Sequence, residues 1–328
     1  DTSSMHGTWQ IIVTIISSFY LLLFIITGLM FLLGSIDAEK RTTAKQWLKN
    51  TLFIVVALLI LGLFYLYSFS IKNGDVIKKD VSLAGGTSVQ INTNTDINEL
   101  KNALSKKFND FSVRQISNIL TGEQIAIVVE IPVPPEEIVP FLEDYLKIKL
   151  NSENSSIEFT GSSISGSFYN QLRFAIFLSF VLMAIVVFII FRSPIPSLAV
   201  IFSAFSDIAL TIVTVDLFGM SISTAGVVAF LMLIGYSVDT DILLTTRVLR
   251  RKGQSINRRI FDAFKTGITM TLTSLFVVLV ALIITSSISK IFSQIFTILT
   301  IGLLFDIVNT WLVNAPLIKW YVEKKHLD

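Results

Sequence analysis

Four aspartates, Asp207, Asp239, Asp241 and Asp306, stand inside long apolar runs where charge is out of place. An ionised carboxylate in hydrocarbon is costly, so such a group must face protein or water, or carry a proton. A carboxylate that can change between these states is what an ion or proton path requires. Asp239 and Asp241 lie two residues apart in LIGYSVDTDILLTTRV. On one helix they point roughly 200° from each other, so they cannot both face one site. One is expected to face the bundle and the other a second interface, a partner or a water-filled crevice. Asp207 follows Ser203 and Ser206, and Asp306 precedes Asn309 by three residues on nearly the same face. Lys265 and Arg247 sit near the ends of two apolar runs and could reach a carboxylate by snorkelling. Fixing the topology explains Arg247 equally well. The competing account makes each aspartate a structural bond to a neighbouring helix. Four of them, interleaved with Ser, Thr, Asn and Tyr, favour an ion path.

The elements that position these groups are membrane spans. The chain of 328 residues is 52% hydrophobic and 15% charged, with a mean hydropathy of +0.72. That composition is too apolar for an ordinary soluble domain. Spans are expected at about 9–34, 51–69, 171–191, 195–217, 221–247, 267–285 and 289–315. The first run is too long, and has no basic residue before it, to be a signal peptide. Basic residues cluster in the loop 35–50, at Arg192, in the loop near 247–265 and in the tail from Lys319. Seven spans put all four regions on the cytoplasmic side. The N-terminus and the segment 71–168 then fall outside, in a multi-pass protein of the plasma membrane. Small residues such as Ala204, Gly226 and Gly235 account for close helix packing.

Residues 71–168 change character, with amphipathic periods replacing solid apolar runs. GGTSVQINT reads as a strand, and Asp96 as the cap of a helix with Leu100, Leu104 and Phe108 on one stripe. FSVRQISNI and EQIAIVVEIPV read as two strands joined near Thr121 and Gly122. Pro135 opens a second helix and SSIEFTGSS closes the unit. The order β-α-β-β-α-β is that of an α+β ferredoxin-like domain. The whole divides into 1–50, an extra span and a cytoplasmic loop; 51–70, a span; 71–168, the outer domain; 169–318, a five-helix bundle; and 319–328, a tail.

Much chemistry is excluded. The chain has no cysteine, and its two histidines, His6 and His326, lie near opposite termini. A thiolate or histidine metal centre has nothing to be built from. There is no nucleotide-binding, zincin or hydrolase-elbow motif. Gly85 and Gly86 lack phosphate-loop spacing and are better explained by a tight turn or close packing. Asn154-Ser155-Ser156 matches a glycosylation acceptor, a weak signal. No enzyme activity, cofactor, metal or nucleic-acid partner is expected.

Three stretches carry a family resemblance: GGTSVQI at 85–91, FRSPIPSLAVIFSAFSDIALTI at 191–212 and IGYSVDTDILLTTRVLR at 234–250. AFKTGITMTLTS at 263–274 supports them. Over roughly residues 50–320 the chain resembles the SecF subunit of the SecD–SecF protein-export complex, in its archaeal form. The resemblance implies the six-helix half of a resistance-nodulation-division-type core, with the first span an addition to it. It implies a SecD-like partner, the Sec translocon, an unfolded preprotein and membrane lipid as the surroundings. It also implies export driven by a proton or sodium gradient through carboxylates of the fourth family span. Bacterial forms show Asn-Asp-Thr where this chain has Asp239-Thr240-Asp241, so their key aspartate falls on Thr240. Asp239 matches the SecD-type aspartate, Asp241 is an additional candidate, and Lys265 matches an arginine of bacterial forms. Gly85, Gly86, Gly235 and Tyr236 are candidates for packing between domains or partners. The alternatives are an exporter of lipid or small hydrophobic solute from the same superfamily, and an uncoupled membrane scaffold.

Overall fold

The computed structural model describes residues 38–108, 111–117, 123–250, 253–286 and 289–325. The first expected span, 9–34, the turn at Thr121 and Gly122, and both histidines lie outside the described residues. Helix α1 runs Ala38–Asn73, followed by the four-residue α2, Val81–Ala84. The domain then follows as β1 Gly86–Ile91, α3 Ile97–Ser105, β2 Ser112–Ser117, β3 Gln124–Ile131, α4 Pro135–Leu146 and β4 Ser155–Thr160. The remaining helices are α5 Ser162–Phe191, α6 Pro194–Leu217, α7 Thr224–Arg250, α8 Ile256–Thr285 and α9 Lys290–Asn309. A π-helical turn, Thr310–Asn314, joins α9 to α10, Ala315–Lys324.

Among the described residues, six helical segments are long and apolar enough to cross a membrane: Val55–Asn73, Ile164–Phe191, Pro194–Leu217, Thr224–Arg250, Ile256–Thr285 and Ile291–Lys324. They correspond to the second to seventh expected spans. The charged stretch 35–50, expected as a loop, is helical from Ala38 onward and continuous with the span. It has no Gly or Pro, and Ala, Glu, Lys, Arg and Gln favour helix. The last helix likewise extends past 315 to Lys324, because the π turn absorbs Asn314 and Pro316 falls at the start of α10, where its missing N–H is tolerated. Helices α6 and α7 run through the middle of the bundle, and α5 lies at its rim.

The sheet order is β2-β3-β1-β4, antiparallel throughout, as the split arrangement requires. Asp96 accepts from the Asn98 and Glu99 N–H groups at 2.6 and 3.3 Å and so starts α3. Pro134 and Pro135 start α4, which stops at Lys147 in the left-handed region, φ 56°. One face of the sheet and the two helices enclose Val89, Ile91, Leu100, Leu104, Ile138 and Leu142. Each such burial is worth roughly 1.5–3 kcal/mol over exposure. The Asn154 side chain is bound into its own turn, accepting from Asn151 N–H and donating to Lys149 O, both at 2.8 Å.

Gly86 begins β1 at φ +125°, where a Cβ would press on the Ile131 carbonyl and lie 2.7 Å from Pro132 Cα. Only glycine lets the two strands close at this point. Gly86→Ala is therefore expected to lower the protection of the β1 and β3 amides in hydrogen exchange of the intact protein by more than about 1 kcal/mol. Unchanged protection would show that the strand start tolerates a side chain.

Candidate functional site

Near the middle of the bundle, three of the four aspartates converge. Asp207 on α6, Asp241 on α7 and Asp306 on α9 are each fully buried. Gly302, one turn before Asp306, lets α9 approach α7, since a Cβ there would overlap the Leu233 side chain. The π turn then carries Thr310 and Asn314 into the same space, both fully buried.

Hydroxyl donors reach all three carboxylates, and amides reach two of them. Ser237 Oγ donates to Asp207 Oδ2 at 2.5 Å, and Asn309 Nδ2 donates to its Oδ1 at 2.5 Å. Asp241 Oδ1 accepts from Thr310 Oγ1 at 2.9 Å and from Asn314 Nδ2 at 2.7 Å. Thr310 Oγ1 also lies 3.3 Å from Asp306 Oδ1. Asp306 therefore has a weaker donor set than the other two, with no amide contributing among the described residues. Such charge-assisted bonds are what make a buried carboxylate tolerable.

The remaining expected residues separate around this cluster. Thr240 turns toward α8, its hydroxyl 3.4 Å from that of Thr271. Asp239 lies on the outer side of α7 and is exposed, as the 200° separation requires. Gly235 and Tyr236 lie on the same exposed stripe, with Val228 and Met232 above them. Lys265 is exposed on α8. Among the described residues, Arg247 takes no carboxylate. Its Nη1 donates to the Asp262 carbonyl at 2.6 Å and to Thr266 Oγ1 at 2.7 Å, tying α7 to α8. A main-chain carbonyl and a hydroxyl within reach make the long route to a carboxylate unnecessary. Gly85 ends α2 at φ 89°.

Several participants escaped the sequence. Asn314 and Thr310 continue the Asp306 stripe at intervals of four, so extending the helical wheel by two turns would have found them. Ser237 stands four residues before Asp241, so the same reasoning applied to α7 would have found it too. Asp216, nearly buried at the domain end of α6, accepts from Lys78 N–H at 3.4 Å. On the domain, Arg114 Nη2 meets both Glu130 carboxylate oxygens at 2.7 Å and reaches Ser221 Oγ at 3.3 Å. Burial lowers the pKa of the Arg114 guanidinium, and the charge of nearby Asp80 works against that shift.

Residues 142–324 match the family described as protein export membrane protein SecD/SecF, C-terminal. The chain is 36% identical over 286 residues to the protein-export membrane protein SecF of Methanocaldococcus jannaschii, covering 84% of this chain and 96% of that protein. It is 35% identical over 283 residues to SecF of Methanolacinia petrolearia, covering 84% and 94%. The crystal structure of SecDF, a translocon-associated membrane protein from Thermus thermophilus, superposes with a TM-score of 0.68 at 18% identity. That match covers 84% of this chain and spans 38% of the SecDF chain, and it shows a shared fold.

The pairing of Asn309 with Asp207 has a measurable consequence. Asn309→Leu removes one donor from a buried carboxylate and is expected to cost about 2 kcal/mol in unfolding of the lipid-reconstituted protein. Adding Asp207→Asn should recover part of that loss, because the uncompensated charge is gone. Strictly additive losses would show that the two residues do not interact.

Proposed function

Since the chain belongs to the SecF family of protein-export membrane proteins, we propose that it is an accessory subunit of the Sec machinery that helps a preprotein complete its passage, driven by a cation gradient acting on the Asp207, Asp241 and Asp306 cluster. The family is one of export proteins and not of enzymes. The observation that carries the reading is the hydroxyl shared between two carboxylates. Thr310 has one proton to offer, and it lies within reach of both Asp241 and Asp306. The second oxygen is satisfied when a carboxyl carries a proton or when a small cation lies between the two groups. A site that is complete only with a cation is suited to loading and unloading one.

The exposed stripe of α7 supports a membrane partner. Its Tyr236 and Asp239 interrupt an otherwise apolar surface, whereas the exposed side chains of α5, such as Phe174, Phe177 and Leu182, suit lipid. A SecD-like subunit covering this stripe would take Asp239 out of hydrocarbon. Lys265, exposed on the adjoining helix, would serve the same interface. In this arrangement the domain within 71–168 works outside the cell on the emerging preprotein or on the partner's domain. The bundle of 169–318 lies in the membrane, the tail 319–328 is cytoplasmic, and the span within 1–50 places the N-terminus outside. The translocon is the third member of the assembly.

The test uses sealed vesicles holding the chain, its SecD-like partner and the translocon, with a partly translocated preprotein. After removal of ATP, an imposed proton or sodium gradient should complete translocation. Asp241→Asn should remove at least about 90% of that increment, a loss worth one factor of ten. Asp239→Asn should act through assembly with the partner, so its defect should shrink when the partner is supplied in excess. Stimulation that ignores both gradients and both substitutions would favour an uncoupled scaffold. An assembled complex that never affects the preprotein would favour the solute exporter.

A further inference from the structure

The loop between α6 and α7 is gripped from two sides. On one side is the chain that leads into the sheet domain. Ile222 N–H donates to Lys78 O at 2.7 Å, and Asp80 N–H donates to Ile222 O at 3.0 Å, a short parallel bridge. Thr224 N–H donates to Ser82 Oγ at 3.1 Å, and Arg114 reaches Ser221 Oγ from the sheet. On the other side is a single buried side chain, Gln294, in the second turn of α9. Its Nε2 donates to Ser221 O at 2.5 Å. Its Oε1 accepts from Ser223 N–H at 3.1 Å and from the Ser223 hydroxyl. One planar carboxamide thus satisfies the peptide groups on both sides of Ile222, while those of Ile222 itself are spent on the root of the domain.

The same helix carries Asp306 and Asn309, twelve and fifteen residues further on, roughly 18 and 22 Å along its axis. We propose that Gln294 is a positioning residue that passes a displacement of α9 at the carboxylate cluster to the root of the sheet domain. The proposal rests on the export reading for its purpose, and on the hydrogen bonds alone for its geometry. A helix transmits axial movement well because its own hydrogen bonds resist stretching, so its two ends move as one body. Glutamine suits the clamp because it presents a donor and an acceptor in one plane. Leucine would fill the volume and make neither bond. Glutamate would keep an acceptor for Ser223 and set an oxygen against the Ser221 carbonyl. Gly226 keeps the clamp seated, since a Cβ there would lie 3.1 Å from Gln294 Oε1.

The experiment is hydrogen exchange on the full chain in lipid nanodiscs, with Asp306→Asn as the perturbation at the cluster. In the background that keeps Gln294, the substitution should change exchange of the Asp80 and Ile222 amides by about fivefold or more, the lower range of a coupling free energy. With Gln294→Leu present, the same perturbation should leave those amides unmoved. Gln294→Glu, which loses the bond to Ser221 alone, should weaken the response in the same direction. An undiminished response in either variant overturns the proposal, as does a lack of response when Gln294 is intact. Because the readout is exchange and not translocation, a negative result here leaves the export reading standing. Failure of gradient-driven export with an intact exchange response would strike that reading and not the clamp.

Discussion

A carboxylate buried in a helical bundle leaves its neighbours little freedom. Asp207, Asp241 and Asp306 are each out of reach of water, so serine, threonine and asparagine must stand where they can satisfy them. Ser237 binds α7 to α6, Asn309 binds α9 to α6, and Thr310 and Asn314 bind the π turn to α7. These bonds set the rotation of three helices about their axes and their mutual depth. Apolar packing alone would tolerate a slip of one residue, because lipid tails and leucine side chains are alike in polarity. A slip here would strand a charge.

The π turn belongs to the same constraint. An α-helix continued through Thr310–Asn314 would advance by its usual angle, whereas the wider turn inserts a phase shift just where two polar residues are needed on one side. The cost is that the regular α-helical hydrogen-bond ladder gives way to wider i→i+5 bonds over this turn. The gain is that Asn314 reaches Asp241, about two and a half turns of helix from the nearest end of α7. Trp311 packs edge-on against Phe264 on the other side, with ring centroids 5.0 Å apart, so the turn is braced toward α8 as well.

The sheet domain is not a passenger on a flexible tether. Its incoming strand segment pairs with the loop between α6 and α7, Lys78 N–H reaches Asp216, and the Tyr169 hydroxyl donates to Asp75 Oδ1 at 2.8 Å. Arg114, paired with Glu130 on the sheet, touches the same loop. The domain therefore stands on the mouth of the bundle through several polar contacts at once. Under the proposed export reading, this fastening is what would join an event in the membrane to work done by the domain.

The periodicity of the sequence determined the elements. Runs too apolar for water had to become spans, and the switch to periods of two and 3.6 between 85 and 160 had to become a small sheet with two helices. The opposition of Asp239 and Asp241 also followed from helical geometry alone, since residues two apart cannot share a face. What the chain could not disclose was which face each aspartate would find. That Asp241 meets Asn314, and that Gln294 meets the loop at Ser221, depends on helices separated by some 70 residues coming into register, and no local pattern encodes the distance between them. The extension of α1 back to Ala38 was hidden for a different reason: a charged helix and a charged loop have the same composition, and the absence of a Gly or Pro break was the one sign separating them. Elements are set by neighbours along the chain, while a site is set by neighbours across it, and only the packed bundle decides those.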